Sequence, residues 1–213
     1  LIALQYHEVK VILNHAFGEA FDEGVVTNQL WCDYIYLDTD ERRRFAQVSH
    51  EYLIEQVQEQ TLSQSDGTNE LNFNHPVKEL IWVKDADFDG GVSSSKLGNT
   101  ASTYQLKLNG HDRFAARNYR YFTRTQIYQH HSGPGGLEAA TNGSNVSLFN
   151  DGIGVYSFAL KPEEHQPSGT CNFSRIDNAQ LVGSAGCTAT MCYAVNYNVL
   201  RIMSGMGGLA YSN

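Results

Sequence analysis

The chain has no long apolar run, little proline and no low-complexity segment. Its apolar stretches all fall short of the roughly 18 residues that a membrane-spanning helix needs, so we expect no membrane insertion. Only 4 of its 213 residues are proline, and no linker-like boundary separates one part of the chain from another. This length allows one all-β domain or two small ones, and the absence of a boundary favours one. We therefore predict a single domain over residues 1–213.

Positive charge is also scarce. The chain has 15 Lys and Arg against 23 Asp and Glu, which gives a formal net charge of −8 at pH 7. A protein that coats nucleic acid needs a basic face to neutralise phosphates. The charge balance therefore predicts no direct contact with nucleic acid.

Cysteine is sparse and lacks the spacing of a redox or zinc motif. The four cysteines are Cys32, Cys171, Cys187 and Cys192, and no CxxC pair occurs among them. Isolated cysteines in apolar segments are typical of buried free thiols. We expect no disulfide or zinc site and a reducing assembly compartment.

Motifs of catalysis are missing as well. The sequence contains no GxSxG, P-loop or HExxH motif, and its eight histidines include no His-x-His pair. His130 and His131 are adjacent and would point apart on a strand. Residues 163–165 (Glu-Glu-His) lie between two prolines on a predicted turn, where a packing role is favoured over acid-base chemistry. We predict no enzymatic activity, no cofactor and no metal site.

Aromatic residues and alternating patterns are abundant. The 12 Tyr and 10 Phe favour strands over helices. Runs of period-2 alternation bounded by turn residues predict eight strand units: 1–13, 30–38, 51–60, 69–84, 103–114, 153–161, 172–182 and 189–203. Eight antiparallel strands suit a jelly-roll sandwich with short helices in its connections. The spacing alone equally allows an immunoglobulin-like sandwich or an up-and-down barrel.

Residues 152–178 join two of these strands through a tight turn. Pro162, Pro167 and Gly169 stop the ladder and turn the backbone. Alternation predicts that six side chains on the strand before this turn and on the last strand face inward. These are Tyr156, Phe158, Leu160, Val195, Tyr197 and Val199.

A short helix and a long loop are the other notable features. Asp38 is placed to cap a helix that carries Arg42, Arg43 and Arg44 near its end, and these arginines form either a solvated face or a contact with another protein. Residues 132–152 are glycine-rich, and this loop contains two overlapping N-glycosylation sequons at Asn142 and Asn145.

Several stretches resemble one family closely. They are residues 152–178 (GIGVYSFALKPEEHQPSGTCNFSRIDN), 1–9 (LIALQYHEV), 34–47 (YIYLDTDERRRFAQ), 108–114 (LNGHDRF), 128–131 (YQHH) and 196–213 (NYNVLRIMSGMGGLAYSN). Together they resemble the carboxyl-terminal jelly roll of the major capsid proteins of nucleocytoplasmic large DNA viruses. Members of that family carry two tandem jelly rolls, so we expect this chain to be a fragment without the first.

The resemblance implies a structural function. Such a protein forms homotrimers that pack with neighbouring capsomers into an icosahedral shell, is located in the virion and is assembled in the host cytoplasm. The charged end of the helix leads us to expect that Arg42, Arg43 and Arg44 contact minor capsid proteins, and the two sequons lead us to expect that the 132–152 loop faces the virion exterior. A carbohydrate-binding jelly roll remains the alternative, for which exposed aromatic residues on a concave face would be the distinguishing feature.

Overall fold

The computed structural model describes residues 2–12, 29–63, 65–84, 96–133 and 151–211. Most regular structure in this part of the chain is β-strand, with a few short helices. The strands are β1 (His50–Thr61), β2 (Thr68–Glu70), β3 (Pro76–Val83), β4 (Thr103–Leu108), β5 (His111–Asp112), β6 (Arg117–Asn118), β7 (Ile153–Ser157), β8 (Cys171–Asn172), β9 (Ala179–Gly183), β10 (Met191–Met203) and β11 (Met206–Leu209). The helices are α1 (Thr39–Gln47), a π-helix (Tyr121–Thr125) that runs into α2 (Gln126–His130), and a 3-10 turn (Phe173–Arg175). No described helix has the length and apolar character needed to cross a membrane.

The strands form two sheets. In the first the order is β1-β10-β3-β7, with β11 also paired to β10 and β8 also paired to β3. In the second the order is β2-β9-β4-β5, with β6 also paired to β4. Antiparallel pairing joins β3 to β10 and β7, and β4 to β9. The all-β architecture predicted from the sequence is confirmed, but the described residues contain eleven strands rather than eight.

The chain divides into two compact units. Unit 1 comprises residues 1–53 and 199–212, and unit 2 comprises residues 54–198 with residue 213. Within unit 1, β10 continues into β11 through a two-residue turn, where Ser204 and Gly205 have φ angles of 52° and 80°. The Tyr6 amide donates to the Gly205 carbonyl at 3.1 Å.

Aromatic packing joins the two sheets of unit 2. Trp82 of β3 lies 5.6 Å from Tyr104 of β4 and 5.1 Å from Phe122 of the π-helix, measured between ring centroids. All three side chains are buried, as are Leu80 and Leu181 in the same core. The Tyr104 hydroxyl donates to the Leu97 carbonyl at 2.7 Å. The core therefore satisfies the polar end of its buried tyrosine, as a stable interior requires.

Several predicted strand units differ from the observed ones. Residues 2–12 and 30–38 form no strand, although the first segment alternates as strands do and the second is aromatic and apolar enough for a buried strand. The predicted 69–84 unit breaks before Pro76, and its two parts, β2 and β3, belong to different sheets. His75 at the break has a φ of 67°. The predicted 103–114 unit is interrupted by a tight turn at Asn109-Gly110, with φ angles of 51° and 78°.

Two glutamines of β1 explain why residues 71–74 are not a strand. The Gln58 side-chain amide donates to the Asn74 carbonyl at 2.8 Å and accepts from the Asn74 amide at 3.0 Å. Gln60 makes the same kind of contact with the Glu70 carbonyl and the Asn72 amide. These side chains bond the backbone of the connection between β2 and β3, so the connection needs no strand partner.

A test of the core is the substitution Gly154→Ala on β7. An added Cβ would lie 2.6 Å from Trp82 Nε1 and 2.8 Å from Leu97 Cδ1, both in the packed interior. We expect the free energy of unfolding to fall by about 1–3 kcal/mol, the usual cost of overpacking. Chemical denaturation measures it. The matched control is Gly133→Ala, where nothing lies within 4 Å, and an equal loss in both variants would contradict the packing described.

Candidate functional site

The 158–170 loop is an excursion from the edge of the first sheet. The strands on either side of it, β7 and β8, both pair with β3, at residues 79–83 and 76–77 respectively. The loop therefore begins where β7 stops pairing with β3, on one side of Lys78, and ends where β8 starts pairing with β3, on the other side of Lys78. The amides of Phe158 and Ala159 both donate to the Lys78 carbonyl, at 2.9 and 3.3 Å. The predicted turn is present, but β7 ends at Ser157 rather than near residue 161.

This early end of β7 corrects one predicted core position. Leu160, predicted to face inward, is 74% exposed, because the chain has already left the sheet. Tyr156 and Phe158 pack against the core as predicted, and Tyr197 is buried. Val195 and Val199 are only half-buried, while the residues between and beside them, Asn196 and Asn198, are buried instead.

A buried lysine holds the middle of the 158–170 loop. The Lys78 ammonium donates to the Pro162 carbonyl at 2.6 Å and lies 2.8 Å from the Glu55 carboxylate. It also sits 5.6 Å from the centre of the Tyr197 ring. The Lys78 side chain is only 4% exposed, so these partners replace its lost hydration. Lys78 therefore fixes the loop to the sheet.

A histidine between two carboxylates holds the same loop from another side. His131, which follows α2, places Nε2 3.0 Å from Glu79 Oε2 and Nδ1 3.2 Å from Glu163 Oε1. We call Glu79, His131 and Glu163 the histidine bridge. The Ser132 amide also donates to both Glu163 carboxylate oxygens, at 3.1 and 3.2 Å.

The electrostatics of the histidine bridge follow from these contacts. The close contact with the Glu79 carboxylate raises the pKa of His131, with a smaller contribution from Glu163, and outweighs the opposing effect of burial. The Ser132 amide lowers the pKa of Glu163, with a smaller contribution from His131. Each imidazole nitrogen faces a different carboxylate, so the three side chains do not converge on one point where a metal would bind. Across the described residues no cluster of three His, Cys, Asp or Glu could hold a metal.

Sequence reasoning misses this bridge. A strand would point His130 and His131 apart, but they lie at the end of α2, and both contact the 158–170 loop. His130 Nδ1 is 3.1 Å from the Leu160 carbonyl oxygen. The sequence predicts a packing role for residues 163–165, yet the partner of Glu163 at His131 is 32 positions away, a distance over which no local pattern gives a signal.

A second polar cluster surrounds Asp151 at the start of β7. Its carboxylate is fully buried, accepts from Thr123 Oγ1 at 2.8 Å and forms a bidentate pair with Arg124. Arg120 lies 3.9 Å away. Burial alone would raise the pKa of Asp151, but the hydrogen bonds from Arg124 and Thr123 outweigh it and lower the pKa. The cluster ties the π-helix to the sheet.

Unit 1 contains the capped helix and a set of exposed apolar side chains. Asp38 Oδ1 accepts from the Thr39 amide at 2.7 Å, which confirms the predicted cap of α1. Arg42, Arg43 and Arg44 are all exposed, and Arg43 lies 3.6 Å from Asp40. The most exposed of these apolar side chains lie in residues 30–36, which form no helix or strand. They are Leu30, Trp31, Tyr34, Ile35 and Tyr36, between 71% and 92% exposed.

The remaining predicted positions are distributed as follows. Asn142 and Asn145 lie outside the described residues, so their glycosylation stays a prediction. All four cysteines are free. Cys187 and Cys192 are buried, and burial raises the pKa of Cys192 to about 12, whereas Cys32 is exposed, contrary to the expectation of buried thiols. In unit 2 the large aromatic side chains Trp82, Tyr104 and Phe122 are in the core, and Tyr128 on α2 is 86% exposed.

Comparisons with known proteins identify relatives along the whole chain. The family model described as large eukaryotic DNA virus major capsid protein matches residues 41–208. The major capsid protein of Pyramimonas orientalis virus is 53% identical over 233 aligned residues, covering 100% of this chain and 57% of that relative. For the major capsid protein of Paramecium bursaria Chlorella virus 1 the identity is 39% over 287 residues, covering 100% and 62%.

A solved structure agrees with these relatives. The quasi-atomic capsid model of Paramecium bursaria Chlorella virus 1 superimposes with a TM-score of 0.65 at 38% identity, covering 84% of this chain and 56% of that one. This likeness supports the jelly-roll fold. The relatives are structural proteins rather than enzymes, as the sequence predicts. The chain spans about 57–62% of the length of the curated relatives named above.

The Asp151 cluster gives a direct test. We expect Asp151→Asn to lower the free energy of unfolding at pH 7 by about 2 kcal/mol, since hydrogen bonds to charged groups contribute about 1.5–3 kcal/mol. Asn suits the positive φ of 48° at this position. Because the pKa of Asp151 is lowered in the folded state, its stabilisation is present above the ordinary Asp pKa and disappears as pH falls through the folded value.

Denaturant unfolding at pH 7 and in acid measures both effects. The control is Asp112→Asn, whose exposed carboxylate lies 3.9 Å from Lys107 and should contribute at most about 1 kcal/mol. A difference in stability between wild type and Asp151→Asn that grows as pH falls would contradict the predicted direction.

Proposed function

Since the chain belongs to the family of major capsid proteins of large eukaryotic DNA viruses, we propose that it is a structural subunit that trimerises into capsomers of an icosahedral shell. In this proposal residues 1–213 provide the second jelly-roll domain of a double jelly-roll subunit. The subunit is a virion component assembled in the host cytoplasm. Neighbouring capsomers are its lateral partners.

The observation that carries the proposal is the exposed apolar segment at residues 30–36 of unit 1. Trp31 and Ile35 are each 86% exposed and Tyr36 is 92% exposed. Surfaces of this composition, rich in large aromatic and β-branched side chains, are typical of protein-protein interfaces. A shell subunit buries such surface against its neighbours, and this accounts for apolar side chains that unit 1 leaves in solvent.

Two further parts of the chain have proposed roles in the shell. The exposed arginines 42–44 at the end of α1 contact minor capsid proteins, because a cluster of guanidinium groups binds carboxylates in a defined geometry. The 132–152 loop faces the virion exterior, where Asn142 and Asn145 would meet any glycosylating enzyme. The net charge of −8 supports a role that involves no direct contact with the genome.

Self-association of the chain tests the proposal. We expect the wild-type chain to sediment as trimers or larger species without added ligand, because residues 30–36 offer apolar area to other copies. The double variant Trp31→Ser with Ile35→Ser should shift the distribution toward monomer. Sedimentation velocity over a range of concentrations measures the shift.

The matched control is Tyr128→Ser, which removes a side chain of similar exposure in unit 2. It should leave the distribution close to wild type. A wild-type chain that is monomeric at every concentration and is retained on immobilised glycans would favour the carbohydrate-binding alternative instead.

A further inference from the structure

We propose that the histidine bridge is a pH-dependent fastener of the 158–170 loop, closed while His131 is protonated and open when His131 is neutral. The device lies wholly within unit 2 and needs no partner chain. It therefore does not depend on the proposed function. Within the loop it acts on Glu163, the residue that attaches the loop to the end of α2.

The number of donors on the imidazole requires the protonated form. Glu79 and Glu163 are 3.0 and 3.2 Å from different nitrogens of His131. Both carboxylates are acceptors, and neutral imidazole has only one N–H to donate. In the neutral form one carboxylate would face a nitrogen lone pair. Only the imidazolium presents an N–H group and a positive charge to both carboxylates at once.

Burial makes the loss of the proton costly at Glu79. Glu79 is only 6% exposed, and the His131 side chain is 18% exposed. A buried carboxylate without a donor or a positive charge is strongly unfavourable. Glu163 is 45% exposed and can move into solvent. Deprotonation of His131 therefore breaks its contact with Glu163, and this releases the loop.

The other charged groups around the bridge are already paired within the described residues. On β3, Lys78 binds Glu55 and the Pro162 carbonyl. In the loop, Lys161 lies 3.0 Å from Glu164. On the helix side, His130 contacts the Leu160 carbonyl rather than a carboxylate. His131 is thus the group placed between two carboxylates, and its protonation decides whether both are bound.

The direction of the pH effect follows from the raised pKa of His131 and the lowered pKa of Glu163. The pKa of His131 is raised, so its contribution is complete below the ordinary His pKa and is lost as pH rises through the raised value. The pKa of Glu163 is lowered, so its contribution is present above the ordinary Glu pKa and is lost as pH falls through the lowered value. The bridge is closed between these limits and opens on the alkaline side at His131.

Opening is local because other contacts hold the loop. Lys78 still binds the Pro162 carbonyl, and the Lys161 amide still donates to Ser168 Oγ at 2.9 Å. What is lost is the attachment of Glu163 to His131 and to the Ser132 amide. The change should therefore appear as lost protection at Ser132 and around Glu163, with the sheets unaffected.

Hydrogen exchange measured by mass spectrometry on the dilute chain, from pH 6 to pH 9 and corrected for the intrinsic rate, tests the proposal. We expect protection of the peptides that contain Ser132 and residues 158–170 to fall with rising pH, by about tenfold for each unit by which the His131 pKa is raised. Peptides from β4 and β9 should show no such step. His131→Gln should abolish the step, and the matched control His165→Gln, an exposed histidine of the same loop, should keep it.

A step that persists in His131→Gln, or a wild-type loop with no step, would overturn the proposal. Should His131→Gln fail to fold, Glu163→Gln decides, since its substitution site is partly exposed. In that variant the protection of the loop should be lower than in wild type at pH values below the step. At pH values above the step it should be close to that of wild type. None of these results bears on self-association, so failure of the pH-dependent fastener and failure of the proposed function are distinguishable.

Discussion

The contact of Trp82 with Tyr104 and Phe122 is the constraint on which the rest of unit 2 depends. It joins a strand of each sheet to the π-helix, with centroid distances of 5.1–6.3 Å. Burial raises the pKa of Tyr104, so its phenol stays protonated and keeps its hydrogen bond to the Leu97 carbonyl. The position of the π-helix then sets the direction of α2. His131 directly follows α2, so that direction helps to place its imidazole between Glu79 and Glu163.

Strand β3 connects this core to the 158–170 loop, because it carries Trp82 in the core and Lys78 and Glu79 beside the loop. Lys78 is the residue of β3 that the register with β10 skips, between Val77 and Glu79, and such a bulge interrupts the regular alternation of side chains. Lys78 binds the Pro162 carbonyl, and the neighbouring Glu79 contacts His131. These two neighbouring residues thus restrain the same loop through two separate partners. This arrangement places buried charges where their partners are fixed by the fold rather than by local sequence.

Local signals in the sequence predict local structure well. The alternation of β1, the cap of α1 at Asp38, the break at Pro76 and the Asn109-Gly110 turn are all decided by residues within a few positions of one another. The family resemblance likewise rests on contiguous motifs, and the family match over residues 41–208 confirms it.

Predictions that depend on distant partners are wrong or cannot be made. Residues 30–38 are aromatic and apolar enough for a buried strand, but composition does not provide a paired edge, and the segment forms no strand and is largely exposed. Leu160 continues the apolar pattern of β7, yet the chain leaves the sheet at Phe158. It does so because β7 and β8 pair with adjacent parts of β3, and the residues between these two strands have no place in the sheet. The histidine bridge joins residues from β3, the end of α2 and the 158–170 loop, which only the fold brings together.

Three-fold self-association is the property on which the proposed role as a shell subunit rests. Three-fold closure requires two different surfaces that meet head to tail, in contrast to the single self-complementary surface of a two-fold dimer. Native mass spectrometry of the purified chain measures the association number directly. Trimeric association predicts masses at three times the chain mass and its multiples. A distribution of monomers and dimers alone, unchanged with concentration, would contradict it.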